Sequence, residues 1–221
     1  MSSNVQTTKA ASSRGLWICI GLSLAVALAA AVRRLAALAH PSAAGPPQMI
    51  ALDSRIQNHT MLTVGHLVPA IVFVCLVPWV FRRGAFRDTA VRLLYPVGAM
   101  VGLTAYAMSG NPVGGWIERS AVLTFDTLFL FSLARAYGYR RGGAARLEMR
   151  WLSRAIWVLL GIATTRPVMA IFFATSRISG WRPEQFFGIA FWVGFSINTV
   201  GVELWLRSNA FQRQWGGGEP K

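Results

Sequence analysis

Acidic residues are scarce in this chain: eight among 221, against twenty-two lysines and arginines, with only three histidines and two cysteines. Each scarcity removes a class of chemistry. Cys19 and Cys75 fall inside apolar stretches and no C-x-x-C occurs, which excludes a disulfide framework and a cysteine-based zinc site and leaves both as packing residues. The paired carboxylates of hydrolases, a serine with a base partner, H-E-x-x-H and a phosphate-cradling glycine loop are all missing. Nothing specifies a reaction, so the expectation leans away from an enzyme, with no catalytic residue and no metal ligand assigned.

Long polar segments are lacking too. The chain is 54% hydrophobic and 14% charged, with a mean hydropathy of +0.44, and its apolar residues come in blocks. That pattern is an integral membrane protein's. The net charge of +14 does not point to nucleic acid, because the basic residues sit in short clusters between apolar blocks. Such clusters orient a chain in the bilayer and attract anionic lipid.

Six blocks approach or exceed the ~20 residues that cross a bilayer: residues 16–32, 60–81, 90–108, 117–137, 152–174 and 185–206. The fold class is therefore all-α, a six-helix transmembrane bundle over 16–206, with a disordered tail at 1–15 and a short basic tail at 207–221. The first block is the shortest and could extend through "RRLAALA". Lys9 and Arg14 before it and "ALA" at 37–39 imitate a signal peptide, but Arg33 and Arg34 between core and cleavage site favour retention as a span. With the N-terminus inside, twelve basic residues fall in inner segments and six in outer ones. That bias predicts a membrane protein with both termini cytoplasmic, in contact with anionic lipids on that side.

Ionisable residues within spans are costly and face the bundle interior. Counting rise per residue from the outer ends puts Arg166 about 12 Å deep, Asp126 about 13 Å and His66 about 9 Å. Three side chains on three helices thus share a layer, and an Asp126–Arg166 ion pair with His66 capping it is the economical expectation. Pro167, next to Arg166, cannot donate to the Ala163 carbonyl, which predicts a kink there with the Thr164 or Thr165 hydroxyl, or an adjacent helix, as substitute partner. Nearer the inner face lie Arg92, Arg135, Arg154 and Glu203, where Glu203 would neutralise one arginine. Asn198 lies deeper and needs an interhelical partner. Gly98, Gly102 and Ala105 form one small-residue stripe and Gly194, Asn198 and Gly201 another, both expected as packing seams within the bundle.

The stretches "GHLVPAIVFVCLVPWVF", "RLLYPVG", "RWLSRAIWVLLGIATTR" and "FGIAFWVGFSINTVGVELWL" resemble a family of uncharacterised bacterial membrane proteins, number two-three-zero-six in the domain-of-unknown-function series. The resemblance covers roughly His66 to Trp205. It rests on His66, on Trp151 with Arg154, on Arg166, and on Trp192 with Asn198 and Glu203. Family members often carry further histidines, one of them at a position held here by Glu148, so the resemblance transfers no metal or haem ligation. It implies a fold and no activity.

Three functions follow as expectations: a non-catalytic membrane subunit or scaffold with a buried polar layer; a small-molecule, lipid or quinone binding protein or carrier using His66, Asp126 and Arg166, with Asn198 and Glu203 as further binding candidates; and a b-type haem protein. The last would have only His66 within a span's depth, since His40 is in a loop and His59 shares the second helix with His66. No cofactor is expected, and no protein partner is specified.

Overall fold

The computed structural model describes residues 3–39, 59–82, 84–208 and 211. Every regular element among them is helical: α1 (Ser3–Ala39), α2 (Thr60–Phe81), α3 (Phe86–Met108), α4 (Gly115–Arg141), α5 (Ala145–Leu159), α6 (Gly161–Ser179) and α7 (Pro183–Arg207). Five stretches are long and apolar enough to cross a membrane: Gly15–Ala39, Thr60–Phe81, Phe86–Met108, Ala145–Ser176 and Pro183–Arg207. The remaining expected span, α4, has the length at 27 residues, but Glu118, Arg119, Asp126, Arg135, Arg140 and Arg141 dilute its hydropathy.

Several boundaries differ from expectation. α1 begins at Ser3, so most of the segment expected as a disordered tail is helical, and it continues through Arg33 and Arg34 to Ala39. The fifth expected span is two helices, starting at Ala145 and interrupted at Leu160. Of the segment 33–59, expected as an outer loop, residues 33–39 are helical, whereas 40–58, with His40, and most of the tail after 208 lie outside the described residues.

Local chemistry explains the helix ends. Gly180 has φ 68°, a left-handed conformation, and its N–H reaches Ser176 O at 2.9 Å to close α6. Pro183 then opens α7, where a missing N–H costs nothing, and Arg182 N–H donates to Gln185 Oε1 at 2.9 Å. The turns at 109–114 and 180–182 mark one end of the bundle, here the distal end. The connection from α2 to α3 and the turn at 142–144, flanked by Arg82, Arg87, Arg140, Arg141 and Arg146, mark the basic end.

Phe73, Leu94, Leu133, Leu152 and Ile156, from four helices, form the centre of the main core. Phe186, Phe187, Ala190 and Met169 form a smaller core toward the distal end. α4 packs against α3, α5 and α7, whereas α1 touches mainly α2 and α6. The outside is apolar: Leu22, Leu103, Ile171 and Leu204, on four helices, are each 63–65% exposed. So much apolar surface is consistent with a membrane protein and would be a liability in water. Cys19 and Cys75 are free and belong to this exposed face; they are not the packing residues expected.

The glycine seams explain how the helices approach. A Cβ on Gly98 would lie 2.9 Å from Leu133 Cδ2, and one on Gly102 would overlap Leu130, so the α3 stripe seats α4. A Cβ on Gly194 would lie 2.7 Å from the Thr165 backbone nitrogen, and one on Gly161 3.1 Å from Phe195 Cα. These contacts make both stripes seams inside the bundle. Gly201 faces nothing within 4 Å and drops out of the expected stripe.

Gly194→Ala should therefore destabilise the protein by about 1–3 kcal/mol, the usual cost of forcing atoms into a packed contact. Gly201→Ala should be neutral or slightly stabilising, because the added methyl meets open space and alanine favours helix. Thermal unfolding of the two variants in the same detergent checks this; equal melting temperatures would remove the seam.

Candidate functional site

The site is built around the interruption between α5 and α6. Leu160 N–H bonds Ile156 O at 2.9 Å in α-helical register, whereas Ala163 N–H reaches only to Leu160 O, also at 2.9 Å. The ladder thus tightens for one turn, and carbonyls near the break need other donors. Asn198 on α7 supplies one: its Nδ2 donates to Trp157 O at 3.0 Å, while Thr164 Oγ1 donates to Asn198 Oδ1 at 2.6 Å. One amide therefore braces the end of α5 and the start of α6. The interruption falls at Gly161, where α7 approaches closely, and not at Pro167, which is accommodated inside α6. Thr165 Oγ1 donates to Ile162 O at 2.6 Å, so neither threonine serves the Ala163 carbonyl as expected.

Beside this junction lies a cavity of about 320 Å³, near the lower bound of ~300 Å³ for small-molecule pockets. His66, Asp126 and Arg166 all line it. The shared layer anticipated from depth is thus brought together by α2, α4 and α6. Asn198 and Glu203 do not line it. Arg34 of α1 and Glu118 and Arg119 of α4 do, and Phe125, Phe129, Phe187, Phe191 and Phe195 supply much of the apolar wall.

The polar groups of the cavity differ in how well they are satisfied. Glu118 accepts from Gly114 N–H at 2.5 Å, capping its own helix. Arg119 stacks over Trp116, 5.6 Å to the ring centroid. His66 Nδ1 lies 3.0 Å from Thr104 Oγ1, whose single hydrogen serves the carbonyls of Met100 at 2.7 Å and Val101 at 3.0 Å. The His66 ring is thus engaged by α3.

Asp126 and Arg166 are different. No ion pair within 4.0 Å and no hydrogen bond engages either side chain among the described residues, and Asp126 Oδ2 and Arg166 Nε are both buried without a partner. The expected direct pair is absent. Arg33 and Arg34 on α1 lie close enough to Arg166 to act on it electrostatically. Among the described residues no three His, Cys, Asp or Glu side chains gather as a metal ion would require.

The basic end is well paired. Arg154 Nε donates to Glu203 Oε1 and Arg154 Nη2 to Oε2 at 3.1 Å, the two-point fork expected of arginine and carboxylate. Glu203 thus does neutralise one arginine, and that guanidinium also lies over Trp151, 4.5 Å from its centroid. A second network went unread in the sequence. Arg140 bridges Asp88 and Glu148, at 3.0 Å to Glu148 Oε1, while Tyr95 OH donates to the same oxygen at 2.9 Å. Asp88 also pairs with Arg92 at 2.8 Å. The available signals were the i,i+4 spacing of Asp88 and Arg92 and a lone acid, Glu148, in the first turn of a basic helix. His59 sits at the N-cap of α2, one residue before the helix.

Comparison with protein-family models, with curated proteins and with solved structures gave no match.

Double-mutant cycles should separate the two polar layers. Arg154→Gln and Glu203→Gln should show a coupling energy on the order of 1 kcal/mol in thermal or denaturant unfolding, whereas Asp126→Asn and Arg166→Gln should be additive within about 0.5 kcal/mol. Strong coupling in the second cycle would restore the direct pair.

Proposed function

We propose that this chain is a six-span protein of the bacterial inner membrane, with both termini cytoplasmic, that binds a small amphipathic molecule in the cavity lined by His66, Asp126 and Arg166. Supporting the sixth span, α4 has sufficient length and packs against three other helices. The orientation rests on the clustering of arginines at the basic end and on exposed Trp116 and Trp181 near the distal one. Membership of the uncharacterised family that the sequence resembles belongs to the same proposal.

One observation carries the binding function: an acid and an arginine, both with buried unpartnered atoms, border a common cavity. Buried charge left unsatisfied costs several kcal/mol per ion. A role confined to holding helices together suits the basic end, where acids and arginines complete one another across α3, α4, α5 and α7. It does not suit Asp126 and Arg166, which brace nothing. A polar ligand would complete them, and the phenylalanines would cover its apolar part.

Organic extraction of the detergent-purified protein, followed by mass spectrometry, should recover one amphipathic species at close to one per chain. Arg166→Gln should reduce that recovery severalfold while Arg154→Gln should not. A reduced-minus-oxidised visible spectrum of the same sample should be featureless; stoichiometric haem bands would assign the cavity to haem on His66 instead. Absence of any bound molecule, with undiminished stability after extraction, would favour the scaffold.

A further inference from the structure

The unsatisfied groups also specify what the ligand must offer. A guanidinium donates only, and a carboxyl accepts only when ionised. Arg166 needs an electron-rich oxygen, and an anionic one makes the stronger, charge-assisted bond. Asp126, on a different helix and buried without a partner, is held ionised, and completed best, by a cationic donor. A carboxylate-headed chain would complete Arg166 and bring no such donor to Asp126. A long-chain amine would do the reverse. A quinone offers acceptors alone.

Size and walls restrict the apolar part. About 320 Å³ holds a head group and a short length of chain, not two acyl chains. On one side the wall is α1, which places Ala27, Ala30 and Ala31 against the cavity. Only 6% of its most apolar window is buried inside the protein, so this wall is thin and borders the bilayer. A single chain can leave the cavity along it.

From this geometry we propose that the ligand is a single-chain amphiphile whose head combines an oxyanion, held by Arg166, with a hydrogen-bond donor, held by Asp126. A lysophospholipid with an ethanolamine head has that chemistry. The inference rests on the binding function proposed above and narrows it to a class.

Titration of the full-length protein in detergent, read by native mass spectrometry, tests it with five probes of matched chain length where a chain is present: lysophosphatidylethanolamine, a fatty acid, a long-chain amine, a monoacylglycerol and a short-chain quinone. The lysophospholipid should bind at least about tenfold more tightly than the monoacylglycerol, the equivalent of one charge-assisted hydrogen bond. Arg166→Gln should abolish the advantage of the fatty acid over the monoacylglycerol. Asp126→Asn should abolish that of the lysophospholipid over the fatty acid. Arg146→Gln, exposed at the basic end, should change neither ratio. The probe series on the unaltered protein decides the matter even where a variant fails to fold. Equal binding of all five probes would overturn the proposed class while leaving a binding cavity in place, provided Ala31→Phe, which fills the cavity, blocks them. Absence of saturable binding by every probe, or binding that Ala31→Phe does not block, would overturn both the class and the binding function.

Discussion

Hydrocarbon offers no hydrogen bonds, so a helix interrupted within it must find donors from its neighbours. Asn198 meets that constraint for the whole distal half of the bundle. Its amide gives a hydrogen to Trp157 O at the end of α5 and takes one from Thr164 at the start of α6. Three neighbouring contacts lock the arrangement: Gly194 against Thr165, Gly161 against Phe195, and the Phe186 cluster beyond them. Because Val158, Ile162 and Arg166 all line the cavity from this stretch, its shape depends on that one brace.

The two ends of the bundle treat charge in opposite ways. At the basic end every acid among the described residues has at least one arginine: Asp88 has Arg92 and Arg140, Glu148 has Arg140, and Glu203 has Arg154. Aromatic rings complete the shells, Trp151 lying under both Arg135 and Arg154. In the distal half the numbers of charges would allow pairing, yet Asp126 and Arg166 stay apart across a cavity walled by phenylalanine. Two solutions to the same electrostatic problem in one small bundle are more easily understood as two tasks than as one.

Much of this was legible in the sequence, and the limits have physical causes. Apolar blocks located the helices because the period and length of a span are set by the bilayer alone. Depth counting brought His66, Asp126 and Arg166 together correctly, since rise per residue is fixed. Whether Asp126 meets Arg166 depends instead on helix rotation, which a few degrees of packing decide and which no spacing reveals. The interruption at Leu160 went unread for a related reason. Pro167 signals a missing donor within α6, whereas Gly161 marks where another helix comes too close for a side chain, and only tertiary contact reveals the second. The Asp88–Arg140–Glu148–Tyr95 network joins three helices through residues far apart in the chain, so its members looked like isolated surface charges. Glu203 and Asn198 were recognisable as needing partners, though which partners they would take was not.

The seam between the α5–α6 junction and α7 leaves no room for side chains to grow on either side: at Gly161 and Gly194 the opposing atoms are backbone as well as side chain. That half of the cavity wall is closed to gradual change. The α1 wall carries Ala27, Ala30 and Ala31 on a helix that buries little else, and Ala70 on α2 and Ala105 on α3 add two more alanines. Drift in what the cavity admits has its room at those alanines. Descendants of this chain could diverge in ligand size while inheriting the α6–α7 contact unaltered.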